Sequence, residues 1–284
     1  MNIKILDFDH FDSKMNMPLQ QYLIEHHLPK IGSYHVVAKR GDTIIALGML
    51  YSNHVHPHRD YILFHKVQND LEAKLLIKLI NNLEKKSKTR GLQLILNSRN
   101  NSLCEQFESH RFHIVRTTYL IKLKEVTEID TDIKTIKTKK LNQMSKVEWQ
   151  ELKKLFHKNY KRFHEGVNAL AQEFSPDLLF ENLKNINVME STILLNHCSQ
   201  LCAYFLIGGS DENSIEVAYL GGIDEDHMED YLFFFQNELR TLLKKYKTVY
   251  FEADDSDDYF SALMQKLNCD LSDSYYTLIK DLGE

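Results

Sequence analysis

Alternating apolar and polar positions mark short strands through most of the chain, and apolar residues three and four apart mark the helices between them. Ile3–Leu6 reads as a strand. Ser13 then caps a helix running toward His27, with Leu19, Tyr22, Leu23 and Ile24 on one face and Pro29 and Gly32 beyond its end. Tyr34–Lys39 and Thr43–Tyr51 are β-rich runs around Arg40-Gly41-Asp42, a hairpin signal. Asn53–Asp60 is a polar turn and Tyr61–Val67 a third strand. Asn69 or Asp70 opens a helix that carries Leu71, Leu75, Leu76, Leu79, Ile80 and Leu83 and stops at Gly91. Leu92–Leu96 is a buried strand, Asn100–Ser109 a short helix, and Phe112–Leu123 another strand.

The second half repeats this order. Asp132–Thr138 is a strand, Ser145–His164 a long amphipathic helix, and Pro176–Leu183 a short one. Thr192–Asn196, Gln200–Ile207 and Ser214–Gly222 form a second meander. A helix from Asp224–Asp226 to Tyr246, a strand Thr248–Glu252, a helix Ser256–Leu267 and a strand Tyr275–Leu282 complete it. Leu94–Leu123 and Phe251–Lys280 correspond at an offset of about 157 residues, setting Phe107 over Met264, Phe112 over Cys269 and Tyr119 over Tyr276. Duplication of one α/β unit accounts for the repeat. The polar connector Lys124–Thr131 sets the expected domains at 1–125 and 126–284.

Composition narrows the field. The 284 residues are 43% hydrophobic and 26% charged, as in a globular chain with a core. No run of about 18 apolar residues crosses a membrane, and Met1–Asp12 lacks the apolar stretch of a signal peptide. The four cysteines show no CxxC spacing and read as reduced thiols of a cytoplasmic protein. Only 10 residues are glycine, which disfavours a glycine-rich phosphate loop. The net charge of −5 divides unevenly. Residues 1–125 hold 18 Lys and Arg against 12 Asp and Glu, and residues 126–284 hold 17 against 28. The total disfavours nucleic acid, and the asymmetry suggests two halves with different ligands.

Several segments resemble one family. Asn100-x-x-Leu103-x-x-x-Phe107-x-x-x-Arg111-Phe112 resembles the N-x-x-A-x-x-x-Y-x-x-x-G-F segment that follows the fifth strand of GNAT N-acyltransferases. Asp257–Cys269 is a weaker echo. Ala218–Ile223 resembles the end of that family's fourth strand, and Tyr275–Lys280 its last strand. The chain thus resembles a tandem GNAT protein with degenerate acetyl-CoA motifs. The resemblance implies an α/β (α+β) fold of two tandem domains, each a mixed, mostly antiparallel sheet flanked by helices. It also implies acyl transfer from acetyl-CoA to an amine, with the pantetheine between the fourth and fifth strands. The diphosphate would sit on the next helix N-terminus, where orphan N–H groups and the helix dipole favour an anion.

Gln68, Leu71 and Ala73 stand in the corresponding Q/R-x-x-G-x-G/A loop, with Asn100 as a further cofactor-binding position. Leu71 replaces the first glycine of that loop, and Asp70 and Glu72 add negative charge. In the second half Asp224, Glu225, Asp226, Glu229 and Asp230 fill the loop and repel a diphosphate. The family's catalytic tyrosine is Phe107 in one half and Met264 in the other. Activity is therefore expected to be impaired, and a catalytically silent scaffold that binds a ligand or partner is the alternative. An aminoacyl-tRNA-dependent relative is a third reading, disfavoured by the acidic second half.

The candidate acid–base groups are Glu216 in the second half's fourth strand, His65 as its first-half counterpart, and Glu252 at the end of the fifth strand. Glu252, Asp254, Asp255, Asp257 and Asp258 crowd there, either as a pocket for a cationic amine or as caps of the helix that follows. The acceptor is expected to be a small-molecule or peptide amine. In His54-x-His56-x-His58, an extended chain would put three imidazoles on one face. No carboxylate or thiol completes the set, so no metal is expected. Tyr231, Phe233, Phe234 and Phe235 surround one helix and read as packing, with a homodimer contact as the other use of the stripe.

Overall fold

The computed structural model describes residues 3–8, 34–41, 43–65, 73–126, 137–183 and 185–283. The helix expected from Ser13 toward His27 lies outside them, as does most of the strand expected at Asp132–Thr138. Two compact units account for the chain. Unit 1 comprises Met1–Val115, Gly166–Ala171 and Tyr275–Glu284, and unit 2 comprises Arg116–Glu165 and Gln172–Ser274.

Unit 1 is a mixed sheet of six strands in the order β1 (Ile3–Phe8), β2 (Tyr34–Arg40), β3 (Thr43–Tyr51), β4 (Asp60–His65), β5 (Gly91–Asn97) and β12 (Ser274–Asp281). The first four are antiparallel, and β2 and β3 are joined by the short turn at Gly41 that the sequence signals. β4 and β5 are parallel, because helix α1 (Ala73–Glu84) carries the chain across between them. Leu75, Leu76, Leu79, Ile80 and Leu83 of α1 are at most 5% exposed and bury the stripe that their spacing predicts. They pack with Leu92, Leu94, Leu103, Phe107, Phe112 and Leu278. Leu103 and Phe107 come from α2 (Asn101–Glu108).

Unit 2 is built alike. Its strand order is β6 (His113–Leu123), β11 (Thr248–Asp254), β10 (Ser214–Gly222), β9 (Leu201–Ser210), β8 (Thr192–Leu195) and β7 (Lys137–Lys140). Helix α3 (Lys146–His164) starts at a capping box. Ser145 Oγ accepts from the Glu148 N–H, and Glu148 Oε2 accepts from the Ser145 N–H. Lys139 beside Glu148 holds that carboxyl low, at about 2. Helix α4 (Pro176–Asn182) sets Phe180 edge-on to Trp149 and Phe156 of α3. Helices α5 (Met228–Leu243) and α6 (Asp258–Leu267) cover the opposite core, which Phe205, Ile215, Val217, Leu220, Phe251 and Leu263 fill.

The repeat predicted from sequence is present: β5–α2 and β11–α6 follow the same course at the same offset. The strand that follows each pair is the surprise. β6 pairs with β11 of unit 2, and β12 pairs with β5 of unit 1. The compact units therefore do not coincide with 1–125 and 126–284. Each takes its last strand from the other half of the sequence.

Candidate functional site

In unit 2, β10 and β11 run parallel and pair at Ser214–Thr248, Ile215–Val249 and Glu216–Tyr250. Beyond that point β10 continues to Gly222 and β11 to Asp254 without pairing to each other. Register shifts on both sides of Val217 bulge β10 against β9. Bulges raise local twist, and the two parallel strands part. Ile215, Val217 and Leu220 face the core, which leaves Glu216, Ala218 and Tyr219 half-buried on the other side of β10. Glu252 and Asp254 alternate with buried Phe251 and Ala253 on β11, opposite Leu120 and Thr118 of β6.

Three carboxylates thus surround Tyr219. Asp254 accepts from Thr118 Oγ1 at 2.5 Å and pairs with the Arg116 guanidinium at 2.8 Å. Glu216 Oε2 accepts from the Gly209 N–H at 3.3 Å. A Cβ on Gly208 would lie 2.7 Å from the same oxygen, so glycine there makes room for the carboxylate. The Glu252 carboxyl is raised above the ordinary carboxylate range, first by desolvation and then by Asp254 and Glu216, with Arg116 opposing. The Tyr219 hydroxyl is raised by burial and then by Glu216, Glu252 and Asp254. Such a cluster attracts an ammonium group, and a raised carboxyl is a better proton acceptor than a free one.

The far end of the opening is closed. Tyr259, on the first turn of α6, donates its hydroxyl to the Gly222 carbonyl at 2.8 Å and is 3.1 Å from the Asp224 carbonyl. Asn159 Nδ2 donates to the same Gly222 oxygen at 3.1 Å and lies 3.3 Å from Tyr204 Oη. The Tyr231 ring occupies the space where a Cβ on Gly222 would stand, with an atom 2.2 Å from that position. Asp257 caps α6, accepting from the Tyr259 and Phe260 N–H groups at 3.0 and 3.1 Å. Burial, with help from Asp254 and Asp258, pushes its carboxyl up to about 7 against those two bonds. Arg162 ties Glu225 at 2.7 Å and Asp258 at 3.3 Å, and the His227 ring meets Asp224 at 2.8 Å.

The structure brings Glu216 and Glu252 together. His65 belongs to unit 1, where it ends β4 opposite Leu47, past the last β4–β5 pair at Ile62–Leu94. Gln68 and Leu71 lie outside the described residues, and Ala73 is the first residue of α1. Asn100 stands at the N-cap of α2 without a side-chain capping bond, and its carbonyl accepts from Leu103 and Cys104. Phe107 is fully buried between Phe64 and Phe112, and Met264 is 6% exposed in the other core. The crowded carboxylates divide: Asp257 caps, Asp258 pairs with Arg162, and Asp254 pairs with Arg116.

The histidine triplet does not share a face. Residues 54–59 form bends and turns, so strand alternation does not apply. His56 is 6% exposed with Nδ1 2.7 Å from the Asn168 carbonyl, while His54 and His58 are exposed. Tyr231, Phe234 and Phe235 are core residues. All four cysteines are free. Among the described residues, no helix is long and apolar enough to cross a membrane.

The residues the sequence did not single out are Tyr259 and Asn159, whose roles depend on a carbonyl 37 and 63 residues away. Their only signal is the pair Gly221-Gly222, where a side chain would meet Tyr204, Asn159 and Tyr231.

No family model matches the sequence, and no curated protein matches it. Solved structures do. A GCN5-related N-acetyltransferase from Sphaerobacter thermophilus superposes at a TM-score of 0.64 with 9% identity, covering 92% of this chain and 85% of that one. A tandem GNAT protein from the clavulanic acid biosynthesis pathway gives 0.55 with 8% identity, covering 100% and 99%. A GCN5-related N-acetyltransferase from Kribbella flavida gives 0.50 with 14% identity, covering 84% and 88%. The strands that part, the helices that follow them and these superpositions agree: this chain has the tandem fold of the GCN5-related N-acetyltransferases.

Proposed function

We propose that the chain is a GNAT-type N-acyltransferase for a cationic small-molecule or peptide amine, with unit 2 binding the acceptor. The observation that supports this reading is the placement of Glu216 and Glu252 on neighbouring strands, near enough for Glu216 to raise the Glu252 carboxyl, where β10 and β11 part. An ammonium group is drawn to the three carboxylates, and Asp254 is fixed by Arg116 and Thr118. Glu252 is the residue suited to take the ammonium proton, because its carboxyl is already raised. The amine so formed is a nucleophile, and acyl transfer is the reaction that this step would serve. The four free cysteines are in keeping with a cytoplasmic setting.

Acetyl-CoA is the donor that the fold implies, and unit 2 as folded does not fit it. The turn before α5 presents Asp224, Glu225 and Asp226, whose charge opposes a diphosphate. The Ile223 N–H is bonded to Cys202 and the Met228 N–H to Glu225. The Gly222 carbonyl is taken by Tyr259 and Asn159. No step is therefore routed through CoA here. This misfit favours a second reading, an amine-binding scaffold without acyl transfer.

Calorimetry with spermidine, followed by thiol-release assays with acetyl-CoA and spermidine, separates the readings. Spermidine binding with thiol release supports the acyltransferase. Spermidine binding without release leaves the scaffold. Absence of spermidine binding at low salt overturns the acceptor assignment in both.

A further inference from the structure

We infer that Lys122 of β6 is a specificity-determining residue of unit 2, and that the acceptor is an amine that also carries a carboxylate. The ammonium end lies on Glu216 and Glu252, and the carboxylate end lies on Lys122. The inference deepens the acyltransferase reading and rests on it for the ammonium end.

Strand register puts these groups on one surface. Lys122 stands opposite Tyr250 of β11, and Tyr250 stands beside Glu216 of β10. Residues paired across neighbouring strands share a face, and so do residues two apart along one strand. Glu252, two residues after Tyr250, therefore joins the same face, while Ile121, Val249 and Phe251 point into the core. Strands lie ~4.8 Å apart, so the backbones of Lys122 and Glu216 are about 10 Å apart, with the half-buried Tyr250 between them. The row runs cation, ring, anion.

Lys122 is exposed, and among the described residues it has no ion pair. Other cations of unit 2 are committed. Arg116, on the same strand and the same face, holds Asp254 at 2.8 Å. Lys139, Lys153 and Lys266 hold Glu148, Asp177 and Glu229. Glu252 is the diagonal neighbour of Lys122, within reach of a long side chain, yet the two are not paired. The face thus offers one positive and two negative groups that do not neutralise one another. A ligand with both charges answers both, and its methylenes lie over the Tyr250 ring. A polyamine engages the acids alone and sets its own charge against Lys122.

The test compares γ-aminobutyrate with n-butylamine, an amine of the same chain length without the carboxylate, by calorimetry at low salt. Wild-type protein should bind γ-aminobutyrate about tenfold more tightly, as one charge-assisted hydrogen bond allows. Lys122→Met should bring the two ligands to the same affinity and leave n-butylamine unchanged. Lys122→Arg should keep the preference, and added salt should shrink it. Equal binding of the two ligands by wild-type protein, or a preference that survives Lys122→Met, overturns the Lys122 assignment and leaves the acceptor reading standing. Binding of spermidine with neither monoamine does the same. Absence of binding by all three ligands overturns both. The wild-type comparison decides even should a variant not fold.

Discussion

The Arg116 guanidinium lies 2.8 Å from the Asp254 carboxylate, which neutralises one of the three acids around Tyr219. Among the described residues, Glu216 and Glu252 have no ion pair. Replacing Arg116 with Leu should raise the Glu252 carboxyl further and strip Asp254 of its cation. Breaking such a partly buried pair costs about 1–3 kcal/mol. Urea unfolding of Arg116→Leu checks the loss. Proton titration of Glu252 by carboxyl NMR checks the upward shift.

Glu252→Gln should weaken spermidine binding by about tenfold, or ~1.4 kcal/mol. Glu216→Gln should do likewise, and the double variant should lose less than the two losses added, because both carboxylates face one cation. Calorimetry at two salt concentrations reads this, with the losses shrinking as salt rises. Since the Glu252 carboxyl is raised, wild-type binding should strengthen with pH through a window above the ordinary carboxylate range. Glu252→Gln should flatten that rise.

Asp257 gives the opposite pH signature in stability. Its carboxyl is at about 7 in the folded chain, above the ~3.9 of a free aspartate. The folded state therefore binds the proton more tightly. The stability that protonation confers is complete below about pH 4 and is lost as pH rises to about 7. Asp257→Asn retains a residue that caps helices and removes the charge. Its urea midpoint relative to wild type should rise between pH 5 and pH 8. An equal offset at both values would refute the assignment.

Phe107 stands where the family's catalytic tyrosine would be, yet it is core, 5.3 Å from Phe112 and 5.4 Å from Phe64 by ring centres. Phe107→Ala should cost about 3–5 kcal/mol. Phe107→Tyr should also destabilise, by about 1–3 kcal/mol, since the added hydroxyl enters an apolar site. Restoration of activity by Phe107→Tyr would contradict this packing role.

The elements were legible where one face of each is buried. The spacing of Leu75, Leu76, Leu79, Ile80 and Leu83 and the match of Phe112 with Cys269 gave the helix and the repeat, because burial imposes those periods. Strand partners were not legible. Tyr119 and Tyr276 sit in similar strands, and nothing local tells β6 to pair with β11 and β12 with β5. Glu216 and Glu252 could be named as candidates because a carboxylate on a half-buried strand needs a reason. Tyr259 was missed because its partner is a backbone carbonyl, which sequence does not display. The histidine triplet failed on an assumption of extended chain that the turn at 54–59 removes.

Unit 1 includes Leu278 in its core and Ile279 at 3% exposure, both from β12. Deleting residues 274–284 should leave β5 an open edge, with fast amide exchange at 91–97 and protection retained at 203–207 in unit 2. A peptide of residues 274–284 added in trans should restore protection to β5.

Synthesis order makes that borrowed strand matter. A ribosome moving at ~5–20 residues per second makes residues 1–115 before any strand of β7–β11, and β12 only after all of these. The part of the protein born first must wait, incomplete, for a strand that is made only after all those of the second part, which by then has every strand that it needs.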